Sequence, residues 1–118
     1  MANYGLFIGF GPPIRGREAK SLDVFNEAMQ YYAGLEQAGT IENWEVVLLE
    51  PHGGDLNGFF LLRGETETLN KLRGDQEFRR LLARGSLVVD DLGAVGAILG
   101  DSLPEEIGIF QEAIAELT

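Results

Sequence analysis

Ile41 to Arg63 reads Ile-Glu-Asn-Trp-Glu-Val-Val-Leu-Leu-Glu-Pro-His-Gly-Gly-Asp-Leu-Asn-Gly-Phe-Phe-Leu-Leu-Arg. Two runs within it, Val46 to Leu49 and Phe59 to Leu62, are apolar at every position, and the turn-rich Pro51-His52-Gly53-Gly54-Asp55 divides them. Apolar runs of this length bounded by turn residues predict the two antiparallel strands of a hairpin. Successive strand side chains point to opposite faces, so an unbroken apolar run asks for burial on both. Pairing Val47 with Leu61 aligns Leu49 with Phe59 and sets Glu45 opposite Arg63, a cross-strand match worth about 0.2–1 kcal/mol. Trp44, Val46, Leu48 and Glu50 then share the other face with Phe60 and Leu62. Four apolar side chains left in water on one face forfeit about 6–12 kcal/mol, at about 1.5–3 each. That is comparable to the whole net stability of a domain, about 5–15 kcal/mol. A short chain can cover one sheet face with its own helices; the other face calls for a second copy of the chain.

With 118 residues the chain is long enough for a proper core and reads as one domain, residues 1–118. It has no cysteine, which excludes disulfides, thiolate metal sites and cysteine nucleophiles. The net charge of −10 repels phosphate backbones, so neither nucleic acid nor an anionic membrane surface is expected as a partner. Charge is also unevenly placed: no Lys or Arg follows Arg84, while Asp90, Asp91, Asp101, Glu105, Glu106, Glu112 and Glu116 do. Lys71, Arg73, Arg79, Arg80 and Arg84 form the basic concentration, read as solvated helix faces. The first ten residues are apolar but lack a basic leader segment and read as a strand, and no apolar stretch is long enough to span a bilayer. The cytoplasm is the expected compartment.

Around the hairpin the remaining elements follow from periodicity. Asn3 to Phe10 is a first strand with Tyr4, Leu6, Ile8 and Phe10 on one face and Gly5, Phe7 and Gly9 on the other. Gly11 to Gly16 is a loop, since Pro12 and Pro13 cannot sit in a regular ladder. It is not a phosphate loop: Arg17-Glu18 stands where that motif needs Lys and a hydroxyl, and the prolines delete two backbone donors. Arg17 to Gln37 is a helix with Val24, Phe25, Ala28, Met29, Tyr32 and Leu35 as a core stripe, ended by Gly39. A short helix from Glu67 to Leu72 breaks near Gly74. Asp75 to Asp91 holds the one conflict, because Leu87-Val88-Val89 resembles a strand while Phe78, Leu81, Leu82, Gly85, Val88, Val89 and Leu92 recur on one helix face. The helix is preferred, capped by Gly93, and it leaves Asp90 and Asp91 against the macrodipole. Ala94 to Leu99 is the last strand, and Ser102-Leu103-Pro104-Glu105 opens a final helix with a capping-box pattern. Its Leu103, Ile107, Phe110, Ile114 and Leu117 make a narrow seam suited to another helix or a partner subunit.

Strand, helix, strand, strand, helix, strand, helix is the ferredoxin-like α+β order, βαββαβ with an extra C-terminal helix and an antiparallel sheet. With both sheet faces apolar, the chain resembles the dimeric α+β barrel superfamily. The segments Val46 to Asp55 and Phe59 to Gly64 look like those of small bacterial proteins of this fold with no assigned function. The resemblance implies a homodimer with two sheets packed face to face. The superfamily also includes cofactor-free monooxygenases, lactone isomerases and haem-dependent enzymes, and no catalytic motif of those branches carries over onto this chain.

Chemistry rests on few residues. His52, the sole histidine, is flanked by Glu50 and Asp55 and reads either as a turn residue bonded to its own loop or as a general acid or base. Asp90 is the other proton-shuttle candidate. Tyr4, Arg15, Tyr32, Trp44, Glu50 and Arg63 are the candidate ligand-binding residues, with the aromatic ones able to wall an apolar pocket that has one polar end. No metal and no cofactor is expected. The leading expectation is a homodimer that binds a small apolar molecule or a protein partner. The alternative is a cofactor-independent monooxygenase or isomerase acting on an apolar aromatic, polyketide-like substrate.

Overall fold

The computed structural model describes residues 3–118; Met1 and Ala2, the start of the apolar N-terminal stretch, lie outside the described residues. The apolar runs form the strands β1 (Tyr4–Phe10), β2 (Asn43–Leu48), β3 (Gly58–Gly64) and β4 (Gly93–Ile98). They make one antiparallel sheet in the order β2-β3-β1-β4. The helices are α1 (Glu18–Gln37), α2 (Thr66–Arg73), α3 (Gln76–Ser86) and α4 (Leu103–Leu117), the last preceded by a 3-10 turn, Gly100–Ser102. This is the ferredoxin-like α+β fold with an additional C-terminal helix.

The strand faces divide as period two requires. Leu6, Ile8, Phe60 and Leu62 point towards the helices and are buried, joined in the core by Tyr32 of α1, Leu69 and Leu72 of α2, and Phe78 and Leu81 of α3. Gly5, Phe7 and Gly9 of β1, Phe59 and Leu61 of β3, and Val47 of β2 lie on the opposite face. There Phe7 stacks on Phe59 with ring centroids 4.9 Å apart. The bare backbone of Gly5 and Gly9 is covered by the chain's own side chains. A Cβ at Gly5 would lie 2.9 Å from Leu99 Cδ1, and one at Gly9 would lie 2.7 Å from Phe7 Cε1.

The hairpin register differs from the predicted one by two residues. Val47 faces Phe59, Glu45 faces Leu61 and Asn43 faces Arg63. A slip of two keeps every side chain on its face, so the face assignment stands although the partners change. Gly58 fixes the register: a Cβ there would lie 2.6 Å from Val47 O and 2.8 Å from Phe10 Cζ, so no other residue fits between β2 and β1. Arg63 still reaches Glu45, diagonally, at 2.8 Å, and donates to Asn43 Oδ1 at 3.2 Å.

Two helix expectations need correction. α3 stops at Ser86 instead of running to Asp91, and Gly93 opens β4 instead of capping a helix. The backbone of residues 88–90 bonds to the loop after β1: Ile14 N donates to Val88 O (2.9 Å), Gly11 N to Asp90 O (2.8 Å) and Asp90 N to Pro12 O (3.0 Å). A single bridge, Pro13 to Val89, results, so the segment is neither helix nor regular strand. β-branched Val88 and Val89 lose side-chain freedom in a helix, and the loop offers their backbone other partners. Asp90 and Asp91 therefore do not oppose a helix dipole; Asp91 instead adopts φ +56°. At α4 the predicted capping box does not form, because Ser102 is itself helical (φ −78°, ψ −16°) and its side chain caps nothing.

α4 stands away from the rest of the chain. None of its residues is buried, and beyond the 3-10 turn before it, its contacts with other elements are marginal. Phe110 is 67 % exposed and Leu117 88 %. The radius of gyration, 16.2 Å, exceeds the value of about 13.5 Å expected of a compact chain of this length, from roughly 2.2·N^0.38 Å. A solitary helix of this length is marginal in water.

Candidate functional site

Between the helix-covered face of the sheet and α1 and α3 lies an apolar cavity of about 320 Å³, at the small end of the usual range for ligand pockets, about 300–1,000 Å³. Phe10, Phe25, Phe60 and Tyr32 form its aromatic wall, with Leu81 and Val88 on the α3 side. The rings meet at angles and do not close into one stack. Phe25 lies 5.3 Å from Phe60 and 6.1 Å from Phe10, and Tyr32 meets the Phe60 ring edge-on at 5.0 Å. Small residues in the lining are Ser21 and Ala28 on α1 and Gly85 on α3, and Leu92 packs against Gly85, its Cδ2 2.9 Å from where a Cβ there would lie. The loop after β1 and residues 88–89 complete the wall, held by the backbone bonds that end α3.

Polar groups in this lining are few. The Ser21 hydroxyl is already used, donating to Glu18 O at 2.6 Å. Tyr32 is 1 % exposed, and among the described residues no hydrogen bond joins its hydroxyl to another group of the chain. Burial, with a smaller contribution from neighbouring Tyr31, raises the Tyr32 pKa well above its ordinary value, so the phenol stays protonated at neutral pH. Asn57 is the other polar residue of the lining, so a ring-containing guest would meet mostly apolar surface there.

Of the residues singled out in the sequence, Tyr32 alone is in this lining. Trp44 packs beside it, 6.1 Å from the Tyr32 ring and 6.3 Å from Phe60, on the β2 side of the core. The Tyr4 hydroxyl donates to Asn70 Oδ1 of α2 at 3.2 Å. Arg15 and Glu50 are exposed in loops, and Arg63 is paired with Glu45 on the opposite sheet face. His52 accepts at Nδ1 from the Gly54 N–H (3.2 Å) and approaches Leu56 O with Nε2 (2.8 Å). Since an amide can only donate and a carbonyl only accept, Nε2 carries the proton and both ring nitrogens are occupied by the loop. The Asp90 side chain is exposed, next to the lining residue Val89. The basic concentration does not gather at the cavity: Arg84 forms a two-pronged pair with Glu27 at 2.7 and 2.9 Å, and Arg73 donates to Ala94 O at 3.3 Å.

The cavity wall was visible in the sequence as the α1 stripe, read there as solid core. The overlooked signal is that small Ser21 and Ala28 alternate with Phe25 and Tyr32 on one side of the helix.

No protein-family model and no curated protein matches the chain. Solved structures do. A dimeric protein of unknown function and ferredoxin-like fold from Bacteroides fragilis is 13 % identical, covering 82 % of this chain and 97 % of its own, with a TM-score of 0.59. A protein of unknown function from Nitrosomonas europaea is 18 % identical over 84 % of this chain and 90 % of its own, with a TM-score of 0.60. SnoaB, a cofactor-independent oxygenase from Streptomyces nogalater, is 12 % identical over 87 % of this chain and 99 % of its own, with a TM-score of 0.56. At these identities the likeness is one of fold, and it agrees with the ferredoxin-like architecture built up from the strands.

Proposed function

We propose that this chain is a homodimeric, cofactor-independent binding protein that takes one small, apolar, ring-containing molecule per chain in the cavity between sheet and helices. The observation that carries the reading is the apolar, largely aromatic lining, to which Tyr32 and Asn57 add polar side chains. Apolar surface drives entry and a few polar groups fix orientation, which is the usual division of labour in small-molecule sites. Support for self-association comes from the apolar sheet face that no helix of the described chain covers, and from the dimeric Bacteroides fragilis protein of like fold. The cytoplasm remains the working compartment.

Titration with N-phenyl-1-naphthylamine, whose emission rises in apolar surroundings, tests the cavity. The expected result is saturable binding at one probe per chain, abolished by Ala28→Phe with the circular dichroism spectrum unchanged. Undiminished binding by a folded Ala28→Phe variant would overturn the proposal.

A second reading, a cofactor-independent oxygenase or isomerase acting on an apolar aromatic substrate, draws on Tyr32 in the cavity lining and on the fold shared with SnoaB. In that reading Tyr32 holds a substrate oxygen and Asp90, beside Val89, is the nearest of the proposed shuttles, while His52 must first release its loop. Oxygen uptake with 1-naphthol that is lost in Tyr32→Phe favours it; no uptake by the wild type removes oxygenation of this phenol.

A further inference from the structure

We propose that α4 is an arm that seats on a second copy of the chain, and that its seat includes the basic stretch of α2 and α3. This rests on the self-association half of the reading above. The arm leaves β4, an edge strand whose residues Gly93 to Ile98 carry no charge and no proline. Natural edge strands ordinarily carry such guards, as β2 does with Glu45. Immediately after β4, Leu99 lies over Gly5 on the uncovered sheet face. The apolar surface thus passes along the chain from that face into the α4 seam, Leu103, Ile107, Phe110, Ile114 and Leu117. At 15 residues the helix is about 22 Å long at 1.5 Å per residue, enough to cross from one copy's sheet edge towards the helix layer of the other.

Charge selects where it goes. α4 carries Glu105, Glu106, Glu112 and Glu116 and no base, and the chain as a whole carries −10, so most of a second copy repels it. Lys71, Arg79 and Arg80 are exposed on α2 and α3, which also carry the exposed acids Glu67 and Glu77, and take part in neither of the ion pairs found among the described residues. An acidic, apolar-seamed helix on one copy and unpaired bases on the other complement each other, whereas two α4 helices side by side do not.

The chain has no cysteine, so Phe110→Cys introduces a single thiol whose reaction with a disulfide reagent reports burial of the seam. Sedimentation and thiol reactivity are measured together over a dilution series. The expected result is at least a ten-fold slower reaction in the dimer than after dilution to monomer. Ile107→Asp with Phe110→Asp should raise the dimer dissociation constant at least a hundred-fold without loss of strand signal, and Arg79→Glu with Arg80→Glu at least ten-fold. A dimer whose introduced thiol reacts as fast as that of the monomer overturns the arm alone and leaves the dimer standing. Unchanged dimer affinity after the arginine reversals overturns the seat. A wild type that sediments as a monomer removes both the arm and the self-association it rests on.

Discussion

Phe59 and Phe60 are adjacent in β3 and have different surroundings. Phe60 is 4 % exposed, within about one ring's reach of Phe10, Phe25, Tyr32 and Trp44. Phe59 points the other way and has the single ring of Phe7 for company. The two faces of one ribbon are both apolar in sequence, but one is packed under the chain's own helices and the other is the face proposed to meet a second copy. The cavity and its tyrosine belong to the first face, the unguarded edge strand and the α4 arm to the second.

The contrast breaks most sharply on truncation. Phe60→Ala should cost about 3–5 kcal/mol of folding stability, as for large core aromatics, measured by urea unfolding. Phe59→Ala, unfolded at a concentration that keeps the chain monomeric, should cost no more than about 1.5 kcal/mol, the scale of one aromatic pair. Equal losses would mean that the second face is already sealed within the monomer.

Alkaline pH probes the covered layer next. Burial, then the charges of Asp75 and Glu77, pushes the Tyr31 pKa from 10.0 up to about 12, and burial raises that of Tyr32 further. Folded pKa values above the unfolded ones mean that the protonated phenols favour the native state. Their contribution is complete below pH 10 and is lost as pH rises through about 12. The melting temperature should therefore fall between pH 10 and 12, and Tyr32→Phe, which removes the more deeply buried phenol, should reduce that fall; an unchanged slope would contradict the burial argument.

On the opposite face, the half-exposed Arg63–Glu45 pair should matter little to the monomer. Glu45→Gln should change its stability by no more than about 1 kcal/mol, less in high salt. The smallest expected effect is that of His52→Ala. Removing two exposed loop hydrogen bonds should lower stability by less than about 1 kcal/mol and leave naphthylamine binding as it was; weakened binding would connect the hairpin loop to the cavity.

Most of the architecture was legible because it is written in period two and period 3.6. The faces of β1 and β3, the core stripe of α1 and the exposed seam of α4 all follow from spacing. The failures share a cause, which is backbone geometry at a few residues. Gly58 sets the hairpin register through a close approach that charge matching between Glu45 and Arg63 cannot see, since a long arginine reaches its partner diagonally as easily as straight across. The end of α3 depends on Pro12 and Ile14, far away in the chain, offering bonds to residues 88–90. For the site, the sequence offered an apolar pocket between sheet and helices walled by Tyr32, Trp44 and Tyr4, but not which residues line the cavity; Tyr4 and Trp44 are outside its lining. Whether small residues on two helices meet or miss is decided by packing between elements distant in sequence.

Sedimentation of the wild-type chain beside Leu61→Lys, which puts a charge in the middle of the uncovered face, shows whether that face is where two copies meet. Twice the chain mass is expected for the wild type at micromolar concentration, and a folded monomer for the variant. A wild type that stays monomeric across that range, or a variant that dimerises as tightly, would contradict dimerisation through that face.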